Sequence, residues 1–549
     1  MTAIEEENIM KKVSAILLAT AVAIPAVSVA PAFAHDKRVP TYVGEASKTQ
    51  LFRGILKRLH EKNERRRASD TRERLLMWHD IALDSVAITH TPVDENGNPA
   101  STFGDQIGPG RTSRALAIVE VAVFDAVNAF DRKYDGYKYN GRAQGNASMD
   151  AAIAQAAHDA IVVLYPTQKS QLDRLLSTDL GQIKANRRAI DNGREVGAAA
   201  AKAILDARFA PNRVANDGAQ FPDVNFGAGG AVATGSANYF GDSVNGGVIA
   251  NFQWQPDPLT PAADGSGTPE QLSIGAYHGA VKTFVLNAGN QFRLPPPPAQ
   301  DSAEFVAGYN EVRALGGSPD NVNSPSTSTP ATRFIGNYWG YDAAPLLGTP
   351  PRLYNQIAVK LANQNGIRDV VKLARYLALT NLAHADSGIA AWDSKWYYNY
   401  ARPVTGIAEG PAAANAATPA DPTWQPVGVS VINTTLPIRA TPPFPAYPSG
   451  HATFGASTFE VARAFFGNNT AFTFVSDEYN GEGSDPLNNN QPRPLVPVRF
   501  RTLQQAQESN GISRIYNGVH WQWDNIGGQA LGVQIGQWVL NHALQRKDD

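Results

Sequence analysis

Eight residues of this 549-residue chain have the types and spacing to do chemistry together: Lys395, Arg402, Ser449, Gly450, His451, Arg514, His520 and Asp524. Forked arginine donors, a lysine point charge and backbone N–H groups at a helix start are what a tetrahedral oxyanion needs around it. Two histidines add one nitrogen for bonding and one for proton transfer. The central stretch is Pro442-Pro-Phe-Pro-Ala-Tyr-Pro-Ser-Gly-His451, in which prolines break regular structure just before an Ala- and Phe-rich run. Ser449 stands where a helix cap is expected, so Ser449 and Gly450 offer free N–H groups at the positive end of a helix dipole. Gly450 has no side chain to block an approaching anion, and His451 falls in the first turn.

The elements that must carry the other residues follow from spacing. A helical run from about Ile367 leads to Lys395-Trp-Tyr-Tyr-Asn-Tyr-Ala-Arg402-Pro403. Seven residues are about two turns, which predicts Lys395 and Arg402 on one helical face, with Trp392 beside them. Pro403 disfavours helix at Arg402 and frees its guanidinium to reach from a helix end. In Ser513-Arg514-Ile-Tyr-Asn-Gly-Val-His520-Trp-Gln-Trp-Asp524, Asn517-Gly518 reads as a turn and a helix is expected from about His520. Asp524 then lies beneath His520 and bonds one ring nitrogen. Taken singly, these stretches also read as a capped core helix, a solvated helix face and a structural His–Asp bond. Their joint occurrence favours an anion site.

The pattern Lys-x6-Arg-Pro, Pro-Ser-Gly-His, Ser-Arg-x5-His-x3-Asp resembles the three-part signature shared by vanadium-dependent haloperoxidases and type-2 phosphatidic acid phosphatases, including bacterial acid phosphatases. The resemblance implies an orthovanadate cofactor bonded through His520. Its oxygens would be held by Lys395, Arg402, Ser449, the Gly450 N–H and Arg514, with His451 as the acid–base residue. It also implies hydrogen peroxide and halide as substrates, small organic acceptors as further partners, and Lys395 as the group that polarises bound peroxide. Trp392 and Phe444 match positions that flank the halide in chloroperoxidase-type members. Asp342, in Asn337-Tyr-Trp-Gly-Tyr-Asp342, matches an aspartate that pairs with an active-site arginine. The family's other chemistry, acid phosphatase action through a phosphohistidine at His520, is the alternative. The chain is about twice the length of small acid phosphatases, and the segments around Trp392–Pro403 and Pro442–Gly455 resemble the haloperoxidase side. The resemblance is strong over roughly residues 337–540, looser over 72–208, and absent from a glycine-rich excursion at 209–269.

The remainder of the chain predicts an all-α fold: two helical bundles with long Gly/Pro-rich loops, like the haloperoxidases and acid phosphatases. Helices are expected over Arg72–Thr89, Arg111–Phe130, Ala151–Leu164 and Arg187–Arg208, where apolar and small residues recur at helical spacing. His79 and His158 lie in these runs and read as satisfied core or helix-face histidines. An N-terminal half (35–333) and a site-bearing C-terminal half (334–549) are expected, with residues 1–34 as a signal peptide: Lys11-Lys12, an apolar run, then Ala32-Phe-Ala34. This predicts a secreted or periplasmic protein with no stable membrane span after cleavage. A net charge of −2 offers no nucleic-acid footprint. The lack of cysteine excludes thiolate ligands and a thiol nucleophile. Asp477–Asp485, an acidic glycine stretch, reads as a solvated loop.

Overall fold

A computed structural model describes residues 50–220, 224–226, 252–259, 271–411, 416–433 and 439–547. The expected signal peptide and most of the 209–269 excursion lie outside the described residues. In chain order the helices are α1 (Gln50–Glu64), α2 (Thr71–Thr89), α3 (Pro109–Asp131), α4 (Met149–Leu164), α5 (Lys169–Leu180), α6 (Arg187–Arg208) and α7 (Ala303–Leu315). They continue as α8 (Pro330–Tyr338), α9 (Pro350–Gln364), α10 (Val370–Tyr398), α11 (Pro403–Glu409), α12 (Gly450–Phe466), α13 (Leu503–Tyr516) and α14 (Gln522–His542). The mainly helical class expected from the sequence is the class observed. Among the described residues two antiparallel strand pairs accompany the helices: β1 (Val224–Phe226) with β2 (Gln271–Ser273), and β3 (Phe472–Asn480) with β4 (Leu495–Phe500).

Local chemistry explains the helix starts. Asp70, Ser148, Asn186, Thr502 and Ser449 each accept a backbone N–H of the first turn, satisfying a donor that has no partner inside the helix. The expected helices over residues 72–89, 111–130, 151–164 and 187–208 form within two residues of their predicted ends. His79 is a core residue whose Nδ1 lies 2.8 Å from Glu120 Oε1 but whose buried Nε2 finds no partner among the described residues, so it is satisfied at one nitrogen only. His158 bonds Asp159 and Asp173 as expected.

Helix α10 is the axis on which the site is hung. It packs against α3, α12 and α14 and is buried on nearly every side, which is why its sequence shows so little amphipathic contrast. On α14, Gly528, Gly532 and Gly536 are spaced four apart and so share one face. That face lies directly on α12: a Cβ on Gly528 would stand 2.7 Å from the Ser449 carbonyl oxygen, and one on Gly536 2.8 Å from Glu460 Cβ. Only glycine permits this approach. It sets the start of α12, with Ser449, against the start of α14, with Asp524, and the Ser449 N–H donates to the Asp524 carbonyl (2.9 Å).

Three expectations need correction. Lys395 and Arg402 do not share one helix: α10 ends at Tyr398, Asn399 turns left-handed (φ 45°), and Arg402 is the extended residue before α11. Asparagine tolerates that turn, and Pro403 disfavours helical backbone at the residue before it. Helix α14 begins at Gln522 rather than His520, which leaves His520 in the preceding turn. Asp477–Asn480 is not loop but the end of β3, and Glu478 is completely buried there.

The described part of the excursion braces the site from outside. Ala401 N–H donates to Phe252 O (3.0 Å), Trp254 N–H to Asn399 O (2.8 Å) and Thr441 N–H to Asp257 Oδ2 (2.7 Å). These bonds fix the connection that delivers Arg402 and the start of the proline-rich segment that leads to Ser449.

Candidate active site

Lys395 stands in the last turn of α10 and is completely buried. Its Nζ donates to the carbonyls of Pro445 (2.9 Å), Ala446 (2.9 Å) and Pro448 (2.5 Å). An ammonium has three donors, and all three are used to hold the proline-rich segment against the helix. Burial, reinforced by Arg402, holds its pKa well below the usual lysine value.

Arg402 reaches the same place from the N-cap of α11. Its Nε donates to Phe444 O (2.8 Å) and Nη1 to Val519 O (2.6 Å), while Nη1 also lies 3.4 Å from His520 Nε2. Burial lowers its pKa to about 9. Arg514, in the last turn of α13, makes a two-pronged pair with Asp342: Nη1 to Oδ2 at 3.1 Å and Nη2 to Oδ1 at 2.7 Å. The expected Asp342–arginine pair is therefore present. Arg402 Nη2 and Arg514 Nε are buried donors with no partner among the described residues. Unpartnered guanidinium N–H groups in a buried site are costly unless an anion satisfies them.

His520 Nδ1 lies 2.8 Å from Asp524 Oδ2, and the same carboxylate oxygen accepts the Trp521 N–H at 3.0 Å. The Nδ1 proton is thereby fixed, so the Nε2 lone pair faces the Arg402 side. Burial, then Arg402 and Lys395, hold the ring well below the ordinary histidine pKa. Asp524 is raised to about 7 by burial. His451, on the first turn of α12, presents Nε2 to Gly340 O (2.8 Å), with Asp342 Oδ1 3.9 Å away. Burial and Arg514 bring it down to about 3.

Ser449 is completely buried at the α12 cap, its Oγ accepting the Ala452 N–H. Gly450 lies against the aromatic pair: a Cβ there would come 3.3 Å from the Trp392 ring. Trp392 and Phe444 have ring centroids 4.8 Å apart, and the Lys395 ammonium sits 5.7 and 5.3 Å from them. The Trp392 indole N–H is taken by Ile274 O (3.2 Å).

The structure thus gathers the sequence-predicted residues around one buried, cation-rich point. The donor set fits a metal oxyanion: three cations, two unpartnered guanidinium N–H groups, a helix start and a single imidazole nitrogen. Sequence reasoning missed Glu478, Arg493 and Ser430, which brace Asp342, and Ile274, which holds Trp392. The alternation Phe472, Phe474, Ser476, Glu478 was the available signal for the strand carrying Glu478.

Residues 375–548 match the family described as the VCPO second helical-bundle domain. The chain shares its fold with a bacterial vanadium-dependent iodoperoxidase structure (TM-score 0.60, 22% identity, 86% of this chain and 97% of that one). A holo-type bacterial vanadium-dependent chloroperoxidase is also similar (TM-score 0.56, 20% identity, 79% and 92%). Together with the signature, these findings give the chain the fold of the vanadium haloperoxidases and make its residues 375–548 similar to their second helical-bundle domain. Among characterised relatives it is similar to the vanadium chloroperoxidase of Curvularia inaequalis, with 27% identity over 500 residues, 82% of this chain and 78% of that protein.

Proposed function

We propose that this protein is a vanadate-dependent haloperoxidase that oxidises halide with hydrogen peroxide to hypohalous acid. The supporting observation is the pair of orphaned guanidinium donors, Arg402 Nη2 and Arg514 Nε, in a site that also holds the His520 Nε2 lone pair. Bound vanadate would supply a Lewis-acidic centre that activates peroxide without changing its own oxidation state.

The chain's residues do the rest. Arg402, Arg514, Ser449 and the Gly450 N–H bind and orient the oxyanion, and His520 Nε2 anchors it while Asp524 keeps the ring's proton on Nδ1. His451, its Nε2–H fixed on Gly340 O, takes and returns a proton at Nδ1. Lys395 contributes positive charge, and one of its donors must leave a carbonyl to touch peroxide. The Trp392 and Phe444 rings offer a weakly hydrated halide a dry, edge-positive surface. The lysine-flanked apolar run and Ala32-Phe-Ala34 support export, which N-terminal sequencing of the mature protein would test.

The deciding experiment starts from metal-free protein and follows halogenation with peroxide and each halide, beside phosphate-ester hydrolysis, as orthovanadate is added. Halogenation that depends on vanadate is the expected result. Hydrolysis that vanadate only inhibits would replace this reading with the phosphatase, in which His520 takes the phosphoryl group.

A further inference from the structure

One short segment serves two residues of the site. The Gly340 carbonyl accepts the His451 Nε2–H (2.8 Å), and two residues later the Asp342 carboxylate takes both Nη atoms of Arg514. Between and after them, Tyr341 (φ 50°) and Ala343 (φ 57°) have left-handed backbone, which residues with a Cβ rarely adopt. Such a conformation persists only where its surroundings over-determine it.

The surroundings are supplied by a carboxylate that plays no part in the proposed chemistry. Glu478 projects from β3 and is completely buried. Its Oε1 accepts the Tyr341 N–H (2.8 Å), inside the left-handed stretch itself. Its Oε2 accepts the Ser430 hydroxyl (2.6 Å) and Arg493 Nη1 (2.7 Å). The Ser430 N–H reaches Asp342 Oδ2 at 3.3 Å, closing a ring from Glu478 through Ser430 to Asp342 and back through the backbone to Tyr341. Arg493 is held in turn by Asp485, Nε to Oδ2 at 2.7 Å. Gly340 has no Cβ because Glu478 Oε1 occupies the place a Cβ would take.

We propose that Glu478 is a positioning residue for the anion site, setting His451 and Arg514 in a common frame through the segment Gly340–Asp342. The inference rests on the proposed function only in taking the site to bind a tetrahedral oxyanion. An apolar pair of similar volume would hold the hairpin equally well. It could not accept the Tyr341 N–H or fix the Ser430 hydroxyl. Charged groups facing Glu478 are Arg493 and, with opposite effect, Asp342. The neutral glutamine analogue therefore loses the attraction to Arg493 while keeping its shape.

Glu478→Gln and Ser430→Ala test the idea, with inorganic phosphate and orthovanadate as calorimetric probes and circular dichroism as the check on folding. Both anions should bind the folded Glu478→Gln protein about tenfold or more weakly, the usual cost of losing a residue that orients the ligating groups. The acid limb of the pH dependence of binding should also move, because the carbonyl partner of His451 is displaced. Ser430→Ala should shift both readouts the same way by less. Reduced thermal stability with wild-type affinity and wild-type pH dependence would overturn the proposal. If Glu478→Gln fails to fold, unaltered binding by Ser430→Ala overturns it instead. A wild-type protein that binds both anions yet oxidises no halide would remove the haloperoxidase reading and leave this inference standing.

Discussion

One oxygen of Asp524 serves two donors, His520 Nδ1 at 2.8 Å and the Trp521 N–H at 3.0 Å. The carboxylate thus caps α14 and sets the imidazole tautomer at once, coupling helix position to the nitrogen that would bond vanadium. Asp524→Ala removes both. Orthovanadate affinity should fall by about 10- to 100-fold, as for other residues that orient a metal-binding histidine, and calorimetric titration reads it. Wild-type affinity would separate the tautomer from the function.

Anion binding should be visible as stability. Ligand that binds only the folded state at about a hundred times its Kd adds about 2.7 kcal/mol, so phosphate and orthovanadate should each raise the Tm. Arg402→Met removes the guanidinium whose Nη2 has no partner. Differential scanning fluorimetry should show most of the anion-dependent rise lost in that variant.

Halide preference should depend on how Trp392 is held. Gly275 has φ +76°, and a Cβ there would lie 3.0 Å from Trp392 Nε1. Gly275→Ala should break the indole bond to Ile274 O and raise the halide KM about fivefold, the scale of one lost hydrogen bond. Steady-state halide titrations at saturating peroxide test it, and phosphate affinity should stay at the wild-type value. Phe444→His should lower chloride turnover relative to bromide, and an unchanged ratio would contradict the aromatic pocket.

Acid should act on the core through His384. The ring is completely buried, with Nε2 on Thr458 Oγ1 and Nδ1 unpartnered, and burial lowers its pKa from 6.5 to about 3. The unfolded ring takes a proton below about 6.5 and the folded ring does not until about 3. Its contribution is therefore complete above the higher value and lost as pH falls toward the lower. By pH 4.5 the loss is roughly 2–3 kcal/mol. His384→Gln should lower stability at pH 7 and flatten its decline between pH 7 and 4.5 by about that amount, read from urea unfolding at both values.

The sequence by itself determined the helices and the inventory of the site. Asp70, Ser148, Asn186 and Ser449 cap their helices by accepting an N–H three residues away, and Pro403 restricts its immediate neighbour. These are local interactions, and spacing alone conveys them. Lys395 and Arg402 show where that ends: seven residues suggested one face, but a left-handed Asn399 intervenes, and the two side chains meet through the carbonyls of residues 444–448.

Only the tertiary structure decided which donors remain free and which carboxylates brace the site. Arg514 keeps Nε unpartnered because Asp342, 172 residues away, takes its two Nη atoms. Glu478 reads as solvated in the sequence, yet it lies buried beneath Tyr341, 137 residues distant. The physical reason is that a hydrogen bond depends on the final separation and angle of its atoms. Here those are set by how closely glycine-faced and alanine-rich helices pack, a quantity that belongs to the assembled chain.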